Sequence, residues 1–308
     1  MFERLSNVRW RSYPVKYACA EAFRQALEDR LKQQARDQHV DVNRLRKFVV
    51  FDRLLARLKH IYLDGWVLKG ALSLQLRYSH LFRTTRDGDL GLWGDLEFTL
   101  RMIEAVDLGD FFGFAIESIP ALDKLEDAAA VRYRVVSTLA RRRFEVVTID
   151  VSFGEPPIQP PTILEGTGLL SFAGIERLQI PTLPLEQHIA EKVHAYTRVY
   201  EGGRRSSRSK DLVDLIVVQG NSSTNAGSLR VAIDHTFSGR ENQSVPVSLP
   251  PPPSDWSRSY REFARETVIP QNLNDGFQLA SAFLNPILRD DVSPEAIWNP
   301  EVRVWQPI

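Results

Sequence analysis

Residues 66–92 read WVLKGALSLQLRYSHLFRTTRDGDLGL. A short apolar run (66–68) meets Gly70, and a segment of helical character follows over 71–78. A basic turn then holds Arg83 and Arg86, and two aspartates one residue apart, Asp87 and Asp89, lead into Leu90. Alternate side chains of a strand share a face, so Asp87 and Asp89 project together if they open one. Two carboxylates on one face repel unless a cation lies between them, and Mg²⁺ favours one or two carboxylates together with substrate phosphates. The spacing thus predicts a metal site suited to a nucleotide.

On the amino-terminal side, residues 1–45 have helical character, with Ala20, Phe23, Leu27 and Leu31 spaced as one apolar stripe. Asp41 is placed to cap a second helix carrying Leu45, Phe48, Val49, Leu54, Leu55 and Leu58. On the other side, residues 97–103 suit a strand or a short helix, and 111–119 alternate weakly. The segments 131–137 and 143–153 are rich in β-branched and aromatic residues and predict two strands, with a hairpin turn at 141–143. The predicted sheet is mixed, with helices ahead of it and a hairpin inside it. Asp150 lies within the second of these strands. Simple alternation puts it on the solvent face. Alternatively, a neighbouring strand brings it to the same cation as Asp87 and Asp89, as in two-metal phosphoryl-transfer sites.

The run PPIQPP (156–161) marks a boundary. The expected division is a helical segment over 1–45, a core over 46–158, and a mainly helical domain over 159–308 with a proline-rich insertion near 245–255. The first helix after the boundary, EQHIAEKVHAYTRVY (186–200), presents Ile189, Val193, Tyr196 and Tyr200 as its apolar face. Glu191, Lys192 and Arg198 are expected off that face. A basic loop follows, EGGRRSSRSK (201–210), and then a helix beginning KDLVDLIVV, whose Asp211 and Asp214 are neighbours on one side. Helical periodicity returns over 256–288, and Trp298 and Trp305 are expected to pin the tail.

Lys and Arg number 39, as do Asp and Glu, so overall charge gives no argument for nucleic acid and any such case rests on local clusters. The single cysteine, Cys19, excludes an internal disulfide and suits a reducing cytoplasm. The first residues lack the apolar run of a secretory signal, and no stretch of about 18 apolar residues is present, so no membrane association is expected. His188 and His194 lack the spacing and third partner of a zinc site.

If the three aspartates hold one or two Mg²⁺ or Mn²⁺ ions, a nucleoside triphosphate lies across them with its α-phosphorus open to a hydroxyl. The pyrophosphate leaving group then needs cations, for which Lys69, Arg83, Arg86, Lys192 and Lys210 are candidates. Gly70 allows close backbone approach to phosphate, and Ser73 and Thr85 offer hydroxyls.

These segments carry a resemblance. LKGALSLQLRYSHLFRTTRDGDL (68–90), VTIDVSFGE (147–155), EQHIAEKVHAYTR (186–198) and RSKDLVDL (208–215) are similar to the AbiEii/AbiGii (MenT-type) nucleotidyltransferase toxins of type IV toxin–antitoxin systems. The resemblance covers about residues 45–220 and extends more loosely to TFSGR (236–240) and the Trp256 region. It implies an α+β fold, with a polymerase-β-like nucleotidyltransferase core, a mixed sheet and a helical C-terminal domain. It also implies that Asp87 and Asp89 are metal-binding and catalytic acids, and that Asp150 is the third strand acid. Thr85 matches the hydroxyl residue before the first acid, Lys192 the essential lysine, and Asp211 or Asp214 the late aspartate. Two positions depart from the family pattern: Ala71 stands where a second glycine is common, and Gly88 where an apolar residue separates the acids.

The expected activity is transfer of NMP from an NTP to RNA, at the 3′ acceptor end of tRNA, which inhibits translation. The expected setting is a cytoplasmic protein with a cognate antitoxin. The rival readings keep the nucleotide but place it on a protein or small-molecule hydroxyl, or make the fold a non-catalytic nucleotide-binding module.

Overall fold

The computed structural model describes residues 15–83, 85, 87–93, 95–119, 130–153, 155–200, 204–205, 208–239 and 244–307. Helix α1 (Ala20–Gln38) buries Phe23, Leu27, Leu31 and Ala35, one side chain per turn, and ends where His39 turns left-handed at φ 54°. Helix α2 (Val42–Ile61) starts at Asp41, whose side chain accepts a hydrogen bond from the Asn43 amide and so satisfies one orphan donor of the first turn. Strand β1 (Trp66–Lys69) runs directly into helix α3 (Gly70–Tyr78). Gly70 has φ +60°, which an L side chain adopts only under strain, so glycine is what lets strand become helix without a loop.

Strand β2 (Asp87–Leu92) precedes helix α4 (Leu96–Ala105), so the ambiguous segment near residue 100 is helical. Its cap, Asp95, accepts from the Phe98 amide at 2.9 Å. Strands β3 (Phe112–Ser118), β4 (Ala130–Leu139) and β5 (Arg142–Phe153) follow. The β4–β5 turn is Ala140–Arg141, with both residues at positive φ, so it comes earlier than expected and Arg142 and Arg143 already belong to the strand.

Strands β6 (Thr162–Glu165) and β7 (Gln179–Thr182) are four residues each, too short for alternation to reveal, and went unread in the sequence. Helix α5 (Leu185–Thr197) stops before the expected end, because β8 (Val199–Tyr200) pairs with β9 (Arg204–Arg205) inside the basic loop. The rest comprises α6 (Ser209–Asn221), α7 (Ala226–Ser238), α8 (Ser257–Ala264), α9 (Leu273–Leu288), β10 (Ile297–Asn299) and β11 (Val304–Gln306).

The fold is mixed α/β and divides into two compact units. The first comprises residues 1–66, 86–154 and 164–180. In it β2 pairs parallel with β5, while β4 pairs antiparallel with both β5 and β3, so the sheet is mixed. Helix α2 packs on β5 and is flanked by α1 and α4. Arg57 is fully buried there, donating to Asp110, to the Phe112 carbonyl and to the Val106 carbonyl. With its guanidinium so fully satisfied, it is a fixed structural charge.

The second unit comprises residues 67–85, 155–163 and 181–308. Its core joins Leu74 and Phe82 to Ile189 and Val193 of α5, Leu212 to Val218 of α6, Leu229 and Ile233 of α7, and Phe283 and Leu284 of α9. The tail is pinned as expected: the Trp298 indole donates to the Gln219 carbonyl at 2.6 Å, and Trp305 stacks on Phe283.

Candidate active site

In the first unit, the register of three strands builds a row of charges. Asp89 is the cross-strand partner of Asp150 on the parallel β2–β5 pair, and Arg132 is the partner of Asp150 on the antiparallel β4–β5 pair. Cross-strand partners share a face, so Asp89, Asp150 and Arg132 stand side by side, with Asp87 two residues along on the same face. The opposite face is apolar core, where Leu90, Ile149 and Val151 are each buried. Asp150 thus lies on the face away from the core, as simple alternation expects, and is the cross-strand neighbour of Asp89.

Arg132 engages Asp150 through two parallel bonds, Nε to Oδ1 and Nη2 to Oδ2, each 2.7 Å. The guanidinium pKa is raised above its ordinary value, first by this hydrogen bonding and then by the fields of Asp150, Asp87 and Asp89. A cation is thus already drawn to the place where three carboxylates act together. The donor set is all oxygen, which fits a hard divalent ion of the Mg²⁺ type. Asp87 and Asp89 share the face on which such an ion would sit, and both oxygens of Asp150 accept from Arg132. Among the described residues no group of three or more His, Cys, Asp or Glu stands at metal-holding geometry.

In the second unit, a different charge cluster forms around Lys192. Its ammonium donates to Asp211 Oδ1 at 3.0 Å and to Asp214 Oδ2 at 2.5 Å. Arg83 donates Nε and Nη2 to the two oxygens of Asp214, at 2.7 and 2.8 Å. Lys192 is only 7% exposed and Asp214 not at all. The expectation that Lys192 lies off the apolar face is therefore wrong. It falls three residues after Ile189 and four before Tyr196, inside the stripe, and α6 supplies the acids that make its burial tolerable.

Burial alone lowers the Lys192 pKa, but Asp214 and Asp211 outweigh it and the net shift is upward. Burial likewise pushes Asp214 up, and Arg83 and Lys192 reverse it to a net decrease. The two shifts agree: the lysine is a permanent cation and Asp214 a permanent anion. The two aspartates differ in what remains to them. Asp214 has both oxygens engaged, whereas buried Asp211 Oδ2 accepts no hydrogen bond from the described residues and stands 3.7 Å from Arg208 Nη1.

Of the other expected nucleotide contacts, Lys69, Gly70 and Ser73 lie at the junction of β1 and α3. Lys69 pairs with Glu191 at 2.9 Å. The Ser73 hydroxyl donates to the Gly70 carbonyl and stands 3.4 Å from His188 Nδ1. Thr85 is half-buried, Lys210 is exposed, and Arg86 lies outside the described residues. Arg132, Glu191 and His188 were missed as site residues. Glu191 and His188 could have been found as the α5 positions flanking Lys192 by one and four residues.

Comparison with known proteins places this architecture among nucleotidyltransferases. The fold matches MenT4, a nucleotidyltransferase toxin from Mycobacterium tuberculosis H37Rv, with TM-score 0.52 and 19% identity over 82% of this chain and 93% of that one. JHP933 from Helicobacter pylori gives TM-score 0.46 and 13% identity, over 80% of this chain and 94% of that one. No curated protein sequence matches. The chain belongs to the AbiEii family, described as nucleotidyl transferase AbiEii toxin of type IV toxin–antitoxin systems, whose model matches residues 53–292. Membership implies transfer of a nucleoside monophosphate from an NTP and an antitoxin partner. No helix of the described residues is long and apolar enough to cross a membrane.

Proposed function

We propose that the protein transfers NMP from an NTP to the 3′ acceptor end of tRNA in the cytoplasm and so inhibits translation. The observation that carries this reading is the pairing of Asp89 with Asp150 beside Asp87, in a member of a nucleotidyltransferase family. In this reading the chain has a polymerase-β-like core and a helical C-terminal domain.

Asp87 and Asp89, with Asp150, would hold Mg²⁺ or Mn²⁺, which would supply charge neutralisation at the α-phosphate and the leaving group. The acceptor hydroxyl oxygen forms a bond to the α-phosphorus, the bond to pyrophosphate breaks, and the hydroxyl proton needs an acceptor. Solvent water can take that proton, and Asp211, which accepts from the Lys192 ammonium at 3.0 Å, orients the lysine. Lys192 is a charge for phosphate and, with its raised pKa, no base. Asp214 and Arg83 hold it in place and act through it. Lys69, Gly70, Ser73, Thr85 and Arg86 are the remaining nucleotide contacts, and the basic segment 204–210 is the RNA-facing loop.

The test is incubation with each of the four labelled NTPs and total RNA, comparing wild type with Asp89→Asn. Label on tRNA with wild type, lost in the variant, is the expected result. Label on protein or a small molecule, or equal label with Asp89→Asn, overturns it. Charge reversal across 204–210 is expected to flatten the salt dependence of RNA binding.

A further inference from the structure

We propose that Arg132 is a positioning residue that competes with the divalent cation for Asp150. It keeps this third acid out of the metal set until the cation displaces the guanidinium. The inference rests on the reading that Asp87, Asp89 and Asp150 serve a metal ion.

Three observations carry it. First, the pairing occupies both carboxylate oxygens through a parallel fork, the geometry in which a guanidinium excludes a second partner most effectively. A cation recruiting Asp150 shares a carboxylate with this guanidinium or takes an oxygen from it, and repulsion between two cations on one carboxylate favours the exchange. Second, the Arg132 side chain is 41% exposed and Asp150 17%, so the guanidinium can swing into water without stranding a buried charge. Arg57 shows the contrast: it is also paired with an aspartate but has no exposure, and backbone carbonyls close it in. One arginine is fixed and the other is free to leave.

Third, the charge balance favours exchange. Arg132 faces Asp150 across the strand, while Asp89 and Asp87 act on it through space. The next residue on its face, Arg134, is offset by Glu117 at 3.6 Å. Three carboxylates thus act on one guanidinium, and a divalent ion drawn to the same acids would weaken the field that holds Arg132 and so favour its release from Asp150.

The experiment is Mn²⁺ binding to the nucleotide-free protein, by calorimetry and by electron paramagnetic resonance. Wild type is compared with Arg132→Met, Arg132→Lys, Asp150→Asn and the Arg132→Met/Asp150→Asn double variant. Arg132→Met is expected to bind Mn²⁺ roughly tenfold more tightly, or to take up a second ion, as one charge-assisted pair is removed. Arg132→Lys is expected to fall between, because an ammonium cannot fork. In the Asp150→Asn background, Arg132→Met should give a clearly smaller gain, because only the through-space field of Arg132 on Asp87 and Asp89 is then removed; an equal gain in both backgrounds would overturn the competition for Asp150. If wild type binds Mn²⁺ and Arg132→Met binds it no better, Arg132 is structural and this proposal is overturned while the metal reading stands. If neither binds Mn²⁺ and Asp89→Asn makes no difference, both are overturned together. Thermal melts of each variant establish that the proteins compared are folded.

Discussion

At the scale of single residues, the two aspartates of α6 separate by what they touch. Asp214→Asn leaves Lys192 and Arg83 buried without their shared anion, and is expected to cost roughly 3–5 kcal/mol in urea unfolding. Asp211→Asn keeps Lys192 on Asp214, so the fold should survive while nucleotide transfer falls by about 100-fold or more. His188 gives a pH signature. Its imidazole sits well below the ordinary value of 6.5, first through burial and then through Lys192 and Lys69. The folded protein keeps it neutral where the unfolded chain binds a proton, so acid favours unfolding. Stability is complete above the unfolded value and falls below it, by about 1.4 kcal/mol per pH unit for one proton. Urea midpoints measured between about pH 7.5 and 5.5 should decline, and His188→Gln should reduce the slope without abolishing it, since His60 is shifted in the same direction. Asp87, Asp89 and Asp150 were legible in the sequence because acids are rare in apolar strands. The state of Lys192 was not, because its partners lie 19 and 22 residues downstream on another helix.

At the scale of elements, the β4–β5 hairpin decides what Asp150 meets. Counting outward from the Ala140–Arg141 turn pairs Asp150 with Val131. The irregularity between Ser137 and Thr138 moves the partner by one, to Arg132, and a one-residue shift exchanges the faces of a strand. No composition signal marks that bulge, which is why Arg132 was invisible in the sequence although both strands were read correctly. The turn itself is unfavourable, with φ 51° at Ala140 and 58° at Arg141. Replacing the pair by Asn-Gly, which accept that geometry, is expected to stabilise by about 1–2 kcal/mol. The urea midpoint should rise with the slope unchanged; a lower midpoint would mean the turn conformation is misjudged.

At the scale of the whole molecule, the chain passes between the two units five times, at residues 66/67, 85/86, 154/155, 163/164 and 180/181. Neither unit is therefore a contiguous fragment. A fragment of residues 181–308 lacks Phe82 of the core and the Arg83 that holds Asp214. Its thermal melt by circular dichroism is expected to be broad and non-cooperative, while the full chain melts sharply. The tail makes a last point about handling this protein. Trp298 is tied to Gln219, on the same helix that carries Asp211 and Asp214. A protease that nicks the chain shortly after residue 290, or a bulky carboxy-terminal fusion that pulls the tail away, would loosen the helix that keeps the buried lysine charged, and such preparations should lose activity while every acid of the sheet remains intact.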